Sequence, residues 1–303
     1  MNRLEDIILK NCGPLSPIPT GIEPQLNKID GVKAVLFDVY GTLIISGSGD
    51  VGTATATDTA EALTQALVVS GFEGEPEQAG VIGKDLMKTE IQEWHKAGKE
   101  AGADFPEVEI TKVWKKIIEK LSQTEALRAH DVSVERIRRL GLEYECRVNP
   151  VFPMPGSTEL LNGLKQRGLP MGIVSNAQYY TPIIFSAFFK RSLEEIGFDP
   201  ACCIWSYKEL KAKPSADLFP KAGKFLEQNH GIKLSETVYV GNDMLNDMYT
   251  AKEAGCKTVL FAGDKRSLRL RETDDRCKNL KPDAIITSLN QILEIIAPSP
   301  EPG

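Results

Sequence analysis

The chain has 303 residues, enough for one large domain or two modest ones, and a formal net charge of −6. That mildly acidic balance, with no basic run, argues against nucleic acid or an anionic membrane surface as the main partner. Charged residues make up 26% and hydrophobic ones 42%, ordinary values for a soluble globular protein, and no apolar run approaches the roughly 20 residues of a membrane span.

In chain order, Leu4–Leu9 is interrupted by Glu5 and Asp6 and follows no basic segment, so a short helix rather than a secretory signal is expected. Gly13, Pro14, Pro17, Pro19, Gly21 and Pro24 then predict an arm over residues 1–30 that stays outside the core. Val32–Phe37 is a short apolar run ending at Asp38, the pattern of a buried strand. Gly47, Gly49 and Gly52 mark a hinge-like loop, and Asp58 with Glu61 three residues on predicts a helix start, with a stop near Gly71. Ile110, Val113, Trp114, Ile117, Ile118 and Leu121 form a full helical stripe, and 132–142 is helical too. Residues 48–150 thus read as an all-helical insertion after the first strand. From Pro150 onward, strands at 169–175, 201–206, 237–241, 257–263 and 284–287 alternate with helices, among them 246–254 and 289–296. Such alternation predicts an α/β fold, a Rossmann-like parallel sheet with helices on both faces, built from 31–47 and 151–297. A flexible tail follows at 298–303.

The six cysteines form no CxxC pair, and the three histidines are scattered, which favours reduced thiols over disulfides or a zinc site and points to a cytoplasmic protein. In open α/β sheets ligands sit at the carboxyl ends of the strands. Asp38-Val39-Tyr40-Gly41-Thr42 ends the first strand, Ser175-Asn176 the second, Lys213-Pro214 follows the third, and Asn242-Asp243-Met244-Leu245-Asn246-Asp247 the fourth. Each has a purely structural explanation. Asp38 could start a turn, Ser175 could cap a helix, Lys213 could be a solvated charge, and Asp243 and Asp247 could face one helical turn as dipole partners. Together, at successive strand ends and in this order, they are poorly explained as four unrelated caps.

These four segments resemble the motifs of the haloacid dehalogenase-like hydrolase superfamily, and the helical insertion is similar to its helical cap. The resemblance spans about residues 31–297. It implies that Asp38 is a nucleophile forming an aspartyl intermediate, that Ser175 and Thr42 hydrogen-bond the transferring group beside Asn176, and that Lys213 steadies Asp38. It further implies Mg²⁺ held by Asp38, the Tyr40 backbone carbonyl, Asp243 and, more weakly, Asp247. Elementary chemistry agrees: a carboxylate and a phosphate dianion repel each other until cations offset their charge, and Mg²⁺ suits an all-oxygen site.

One departure divides the possibilities. Phosphatases of the superfamily usually carry a second aspartate two residues after the nucleophile as general acid and base, whereas this chain has Tyr40. Asp-x-Tyr-Gly-Thr resembles the 2-haloacid dehalogenases, whose halide leaves without a proton. Those enzymes place an arginine early in the cap, yet no arginine occurs here between Arg3 and Arg128, where Lys84, Lys88, Lys96 and Lys99 stand instead. Asp243 and Asp247 keep phosphatase spacing, although Asn242 stands where the motif usually has Gly. The reading is therefore a Mg²⁺-dependent phosphatase of a small phosphorylated metabolite, with dehalogenation as the alternative and a non-catalytic binding protein as a third. Trp114 reads as core and His95 beside Trp94 as surface. Neither discloses the substrate.

Overall fold

Alternation across β1 (Ala34–Phe37) decides how the core is layered: Val35 and Phe37 join one hydrophobic cluster, Ala34 and Leu36 the other. The computed structural model describes residues 3–49, 59–128 and 132–296. Asp58, Gly52 and the 298–303 tail lie outside the described residues. The main sheet adds β2 (Met171–Ser175), β3 (Phe198–Trp205), β4 (Thr237–Gly241), β5 (Lys257–Phe261) and β6 (Ala284–Ile286), in the spatial order β6-β5-β4-β1-β2-β3. Every neighbouring pair is parallel.

Parallel neighbours cannot be joined by a tight turn, so the chain must cross over between them, and helices make the crossings here. One face of the sheet is covered by α1 (Leu4–Asn11), α6 (Ser157–Gln166), α7 (Thr181–Phe189) and α9 (Gln291–Ile295), the other by α8 (Leu218–His230). The chain leaves this core through Ile44–Ser46 and returns through Val151–Pro153, which pair as an antiparallel ribbon. Asn149 ties the crossing: its Oδ1 accepts the Ser46 hydroxyl (2.8 Å) and the Ser48 N–H (3.1 Å). Between the two passes, α2 (Thr59–Val69), α3 (Pro76–Glu100), α4 (Ile110–Gln123) and α5 (Val134–Val148) pack on each other around their own core. The α4 stripe supplies Val113, Trp114, Ile117, Ile118 and Leu121, all buried, and Glu109 caps the helix by accepting the Thr111 N–H.

The first thirty residues depart from their reading as an arm. Ile7 and Ile8 of α1 are buried in the main core against α5 and α7. Further on, Gln25 pairs with Ile285 through two backbone hydrogen bonds of 2.8 and 3.0 Å, extending the sheet edge at β6. Proline breaks a helix interior but tolerates an extended segment at a sheet edge, which is where this stretch runs. No helix among the described residues is long and apolar enough to cross a membrane.

Candidate active site

The strand order reverses at β1, whose neighbours β2 and β4 lead to opposite halves of the sheet; a crevice opens at such a point, beyond the carboxyl ends. Register sharpens this. Phe37 pairs with Ile173 on one side and Val240 on the other, so Asp38, the next residue, falls level with Val174 and Gly241, one residue short of Ser175 and Asn242. Gly41 allows the turn after Asp38 because its φ is +79° and an added Cβ would meet Ser267 Cβ at 2.3 Å.

Asp38 is buried, and its Oδ1 accepts hydrogen bonds from Ser175 Oγ (2.9 Å) and Lys213 Nζ (2.8 Å). The same ammonium donates to Asp247 Oδ1 (2.5 Å) and to the Tyr239 hydroxyl (2.8 Å). Lys213 is only 4% exposed, so the solvated-charge explanation fails. Burial works against its charge, but the carboxylates of Asp247 and Asp38 outweigh burial and hold the ammonium above its ordinary value. Burial also pushes the Asp247 carboxyl up to about 6, against the pull of Lys213. Asp247 Oδ2 accepts the backbone N–H groups of Asn242 and Asp243, both at 2.9 Å. Gly241 makes this approach possible: a Cβ there would lie 2.5 Å from Asp247 Cγ.

Asp247 thus holds Lys213 and the turn after β4 at once. Asp247→Ala should cost about 2–6 kcal/mol in urea unfolding, about 1–3 for each of the two backbone N–H groups it orphans, while Lys213 keeps Asp38 as its partner. A loss below about 1 kcal/mol would mean that the network does not brace the site.

The other expected site residues make contacts within the protein. Thr42 Oγ1 donates to Asn242 Oδ1 (3.1 Å), bracing the loops after β1 and β4. Asn176 grips the Lys213 backbone, accepting its N–H at 2.7 Å and donating Nδ2 to its carbonyl at 3.3 Å. The Tyr40 hydroxyl lies 2.9 Å from Thr181 Oγ1, and burial raises its pKa well above the ordinary tyrosine value. Asp243 caps a helix whose first turn holds Asp247, as the structural explanation of the pair anticipated, but the winding differs. Residues 244–249 wind as a π-helix in place of the expected first turn, and Asp243 caps it by accepting the N–H groups of Leu245 (2.8 Å) and Asn246 (3.1 Å). Arg271, in the left-handed region at φ +54°, clamps the Asp243 carboxylate, with Nη2 2.6 Å from Oδ2.

Sequence reasoning missed Tyr239 and Arg271. The first sits inside an apolar strand, where an aromatic ring reads as core; the second lies 28 residues beyond its partner in an irregular loop. Asp199, Cys202 and His230 also converge, their ligand atoms within 4.8 Å, which scattered positions did not suggest. They bond one another, His230 Nε2 lying 2.8 Å from Asp199, and burial lifts the Cys202 thiol to about 12.

The cleft around Asp38 has a volume of about 20 Å³, space for one water-sized occupant. Asp38, Asp243, Asp247, Asn242 and Asn246 line it, and all of their candidate donors are oxygens. That set fits Mg²⁺, a hard cation that takes carboxylates, carbonyls and water, and offers no sulfur or imidazole to a softer metal.

A family model described as haloacid dehalogenase-like hydrolase matches residues 32–255. The chain is 27% identical over 277 residues to a phosphoglycolate phosphatase of Photorhabdus laumondii subsp. laumondii, a match covering 88% of this chain and 94% of that relative. It is 29% identical over 174 residues to a glyceraldehyde 3-phosphate phosphatase of Pyrococcus furiosus, covering 53% of this chain and 66% of the relative. A solved 2-haloacid dehalogenase from Pseudomonas syringae pv. Tomato DC3000 superposes with a TM-score of 0.51 at 17% identity, covering 87% of this chain and 97% of that one. At that identity the likeness is one of fold.

Proposed function

The chain belongs to the haloacid dehalogenase-like hydrolase family, and within it we propose a Mg²⁺-dependent phosphatase of a small phosphorylated metabolite, with Asp38 as nucleophile. One observation carries this reading: the buried Asp38 carboxylate, held by Ser175 and Lys213, shares its cleft with the acidic pair Asp243 and Asp247. Asp38 attacks phosphorus, the bond to the leaving oxygen breaks, and the aspartyl phosphate is then hydrolysed by water. Ser175 and Lys213 fix the attacking carboxylate, and the Lys213 charge offsets that of the transferring phosphoryl oxygens. Thr42 and Asn176 act one step removed, holding the loops that carry these groups.

Asp38, the Tyr40 carbonyl, Asp243 and more weakly Asp247 would hold Mg²⁺, which when bound lessens the repulsion between carboxylate and phosphate dianion. Residues 48–150 serve as a cap that shields the reaction from water, and the enzyme works in the cytoplasm. Phosphatase names among the relatives support the reaction class. The second reading, 2-haloacid dehalogenation, is favoured by Tyr40 alone.

Phosphate esters and 2-haloacids assayed with and without Mg²⁺ separate the two. Ester hydrolysis should vanish in chelator and return with Mg²⁺, whereas full activity in chelator on a 2-haloacid would give the site to the alternative. Apparent Mg²⁺ affinity should fall further in Asp243→Ala than in Asp247→Ala. The opposite order would move the ligand to Asp247.

A further inference from the structure

Between the helical layer and the strand ends lies a second cavity of about 310 Å³. Asn176 lines both it and the cleft around Asp38, so the two spaces adjoin where β2 ends. Its volume suits an aromatic ring with a short substituent, and Ile91, Val108, Trp114 and Tyr144 supply apolar walls. The charged lining is one-sided. Glu107 and Glu145 face this space, and no lysine or arginine lines it among the described residues.

The two carboxyl groups differ in how they are satisfied. Glu107 accepts the Ser206 hydroxyl and the Val108 N–H, each at 2.8 Å. Glu145, projecting from α5, accepts Asn149 Nδ2 at 3.2 Å and bonds the Tyr180 hydroxyl, both neutral groups. Burial among neutral partners lifts its carboxyl to about 7. His95 offers no counter-charge either, since burial lowers its pKa below the ordinary histidine value.

We propose that this chamber receives the leaving group and that Glu145 selects one with an apolar body carrying an amine; the proposal rests on the phosphatase reading of Asp38. An ammonium in the chamber would give Glu145 a counter-ion that no described residue lining the chamber provides, as a charge-assisted hydrogen bond. A carboxylate in its place would be buried beside Glu145 in a chamber that no described lysine or arginine lines. The chain would therefore disfavour phosphoglycolate, whose leaving group is anionic. Glu145 is a specificity residue in this scheme, since the bond made and the bond broken lie at Asp38 and phosphorus.

A matched pair tests it: 4-(aminomethyl)phenyl phosphate and 4-carboxyphenyl phosphate, alike in size. The amine ester should have a kcat/KM about 100-fold above the carboxylate ester, and Glu145→Gln should shrink that ratio to about tenfold or less. Hydrolysis of both esters with the carboxylate preferred would overturn the chamber assignment and leave the phosphatase reading standing. An unchanged ratio in a folded Glu145→Gln protein would remove Glu145 from the assignment. Binding of the two free phenols to the wild-type protein, read by calorimetry, decides the chamber independently of turnover: 4-(aminomethyl)phenol should bind and 4-hydroxybenzoate should not. Failure of every phosphate ester to react, with the amine phenol still bound, would fall on the phosphatase reading alone.

Discussion

Asp38→Asn is expected to lower kcat/KM by about 10⁴-fold or more while moving Tm by no more than a few degrees. The amide keeps the carboxylate's shape but presents no anionic oxygen for attack on phosphorus. Ser175 and Lys213 find an acceptor of the same outline, so the pocket need not collapse. Stability is protected for a further reason. Lys213 keeps its shorter contact, 2.5 Å to Asp247, after losing the charge 2.8 Å away at Asp38. One ammonium between two carboxylates leaves an excess negative charge in the interior, and the substitution removes it. Turnover within tenfold of wild type, on any substrate the protein accepts, would exclude Asp38 as nucleophile. A fall of 10° or more in Tm would instead show that the substitution had unfolded the site, and the activity loss could not be credited to chemistry.

Why Asp38, Ser175 and Asp243 were legible in the sequence, while Tyr239 and Arg271 were not, follows from where the restraints arise. A parallel strand buried on both faces is a continuous apolar run, so its end is visible as the first polar residue, and the ends of successive strands must share one edge of the sheet. That logic singles out Asp38, Ser175 and the residues after Gly241 from the order of residue types alone. It cannot say which side chains at the edge face substrate and which face each other. Thr42 and Asn176 look like substrate ligands by position, and in the structure they also brace Asn242 and the Lys213 backbone, which the sequence does not record. Arg271 reaches Asp243 only because the loop from residue 264 onward folds back over the end of β4, with Arg269 pairing to Asn242 and Met244 through its backbone. Nothing local records such a return. The first thirty residues mislead for a related reason: proline and glycine density signals irregular backbone, but burial depends on the partner surface, here α5, α7 and the β6 edge.

Tyr40→Asp is expected to raise activity on alkyl phosphates by up to ~10²–10⁴-fold and to flatten the dependence of rate on leaving-group pKa. The wild-type chain has no carboxylic acid two residues beyond its nucleophile. Its tyrosine is only 3% exposed, and burial drives the hydroxyl pKa further above the ordinary value, away from any role as a base near neutral pH. The hydroxyl is moreover engaged with Thr181. Departing alkoxides would therefore leave poorly, and the wild-type rate should drop steeply from aryl to alkyl esters. An aspartic acid at this position could supply the missing proton and then accept one from the hydrolytic water. The ring it replaces is buried, so a cavity cost of about 3–5 kcal/mol accompanies the gain, and unfolding must be measured beside the kinetics. Tyr40→Phe separates the two roles of the side chain. It keeps the packing and removes only the Thr181 hydrogen bond, so its leaving-group slope should match wild type. A steeper slope in Tyr40→Phe would identify the tyrosine hydroxyl itself as the proton donor, and a folded Tyr40→Asp protein with an unaltered slope would exclude this position from proton transfer altogether.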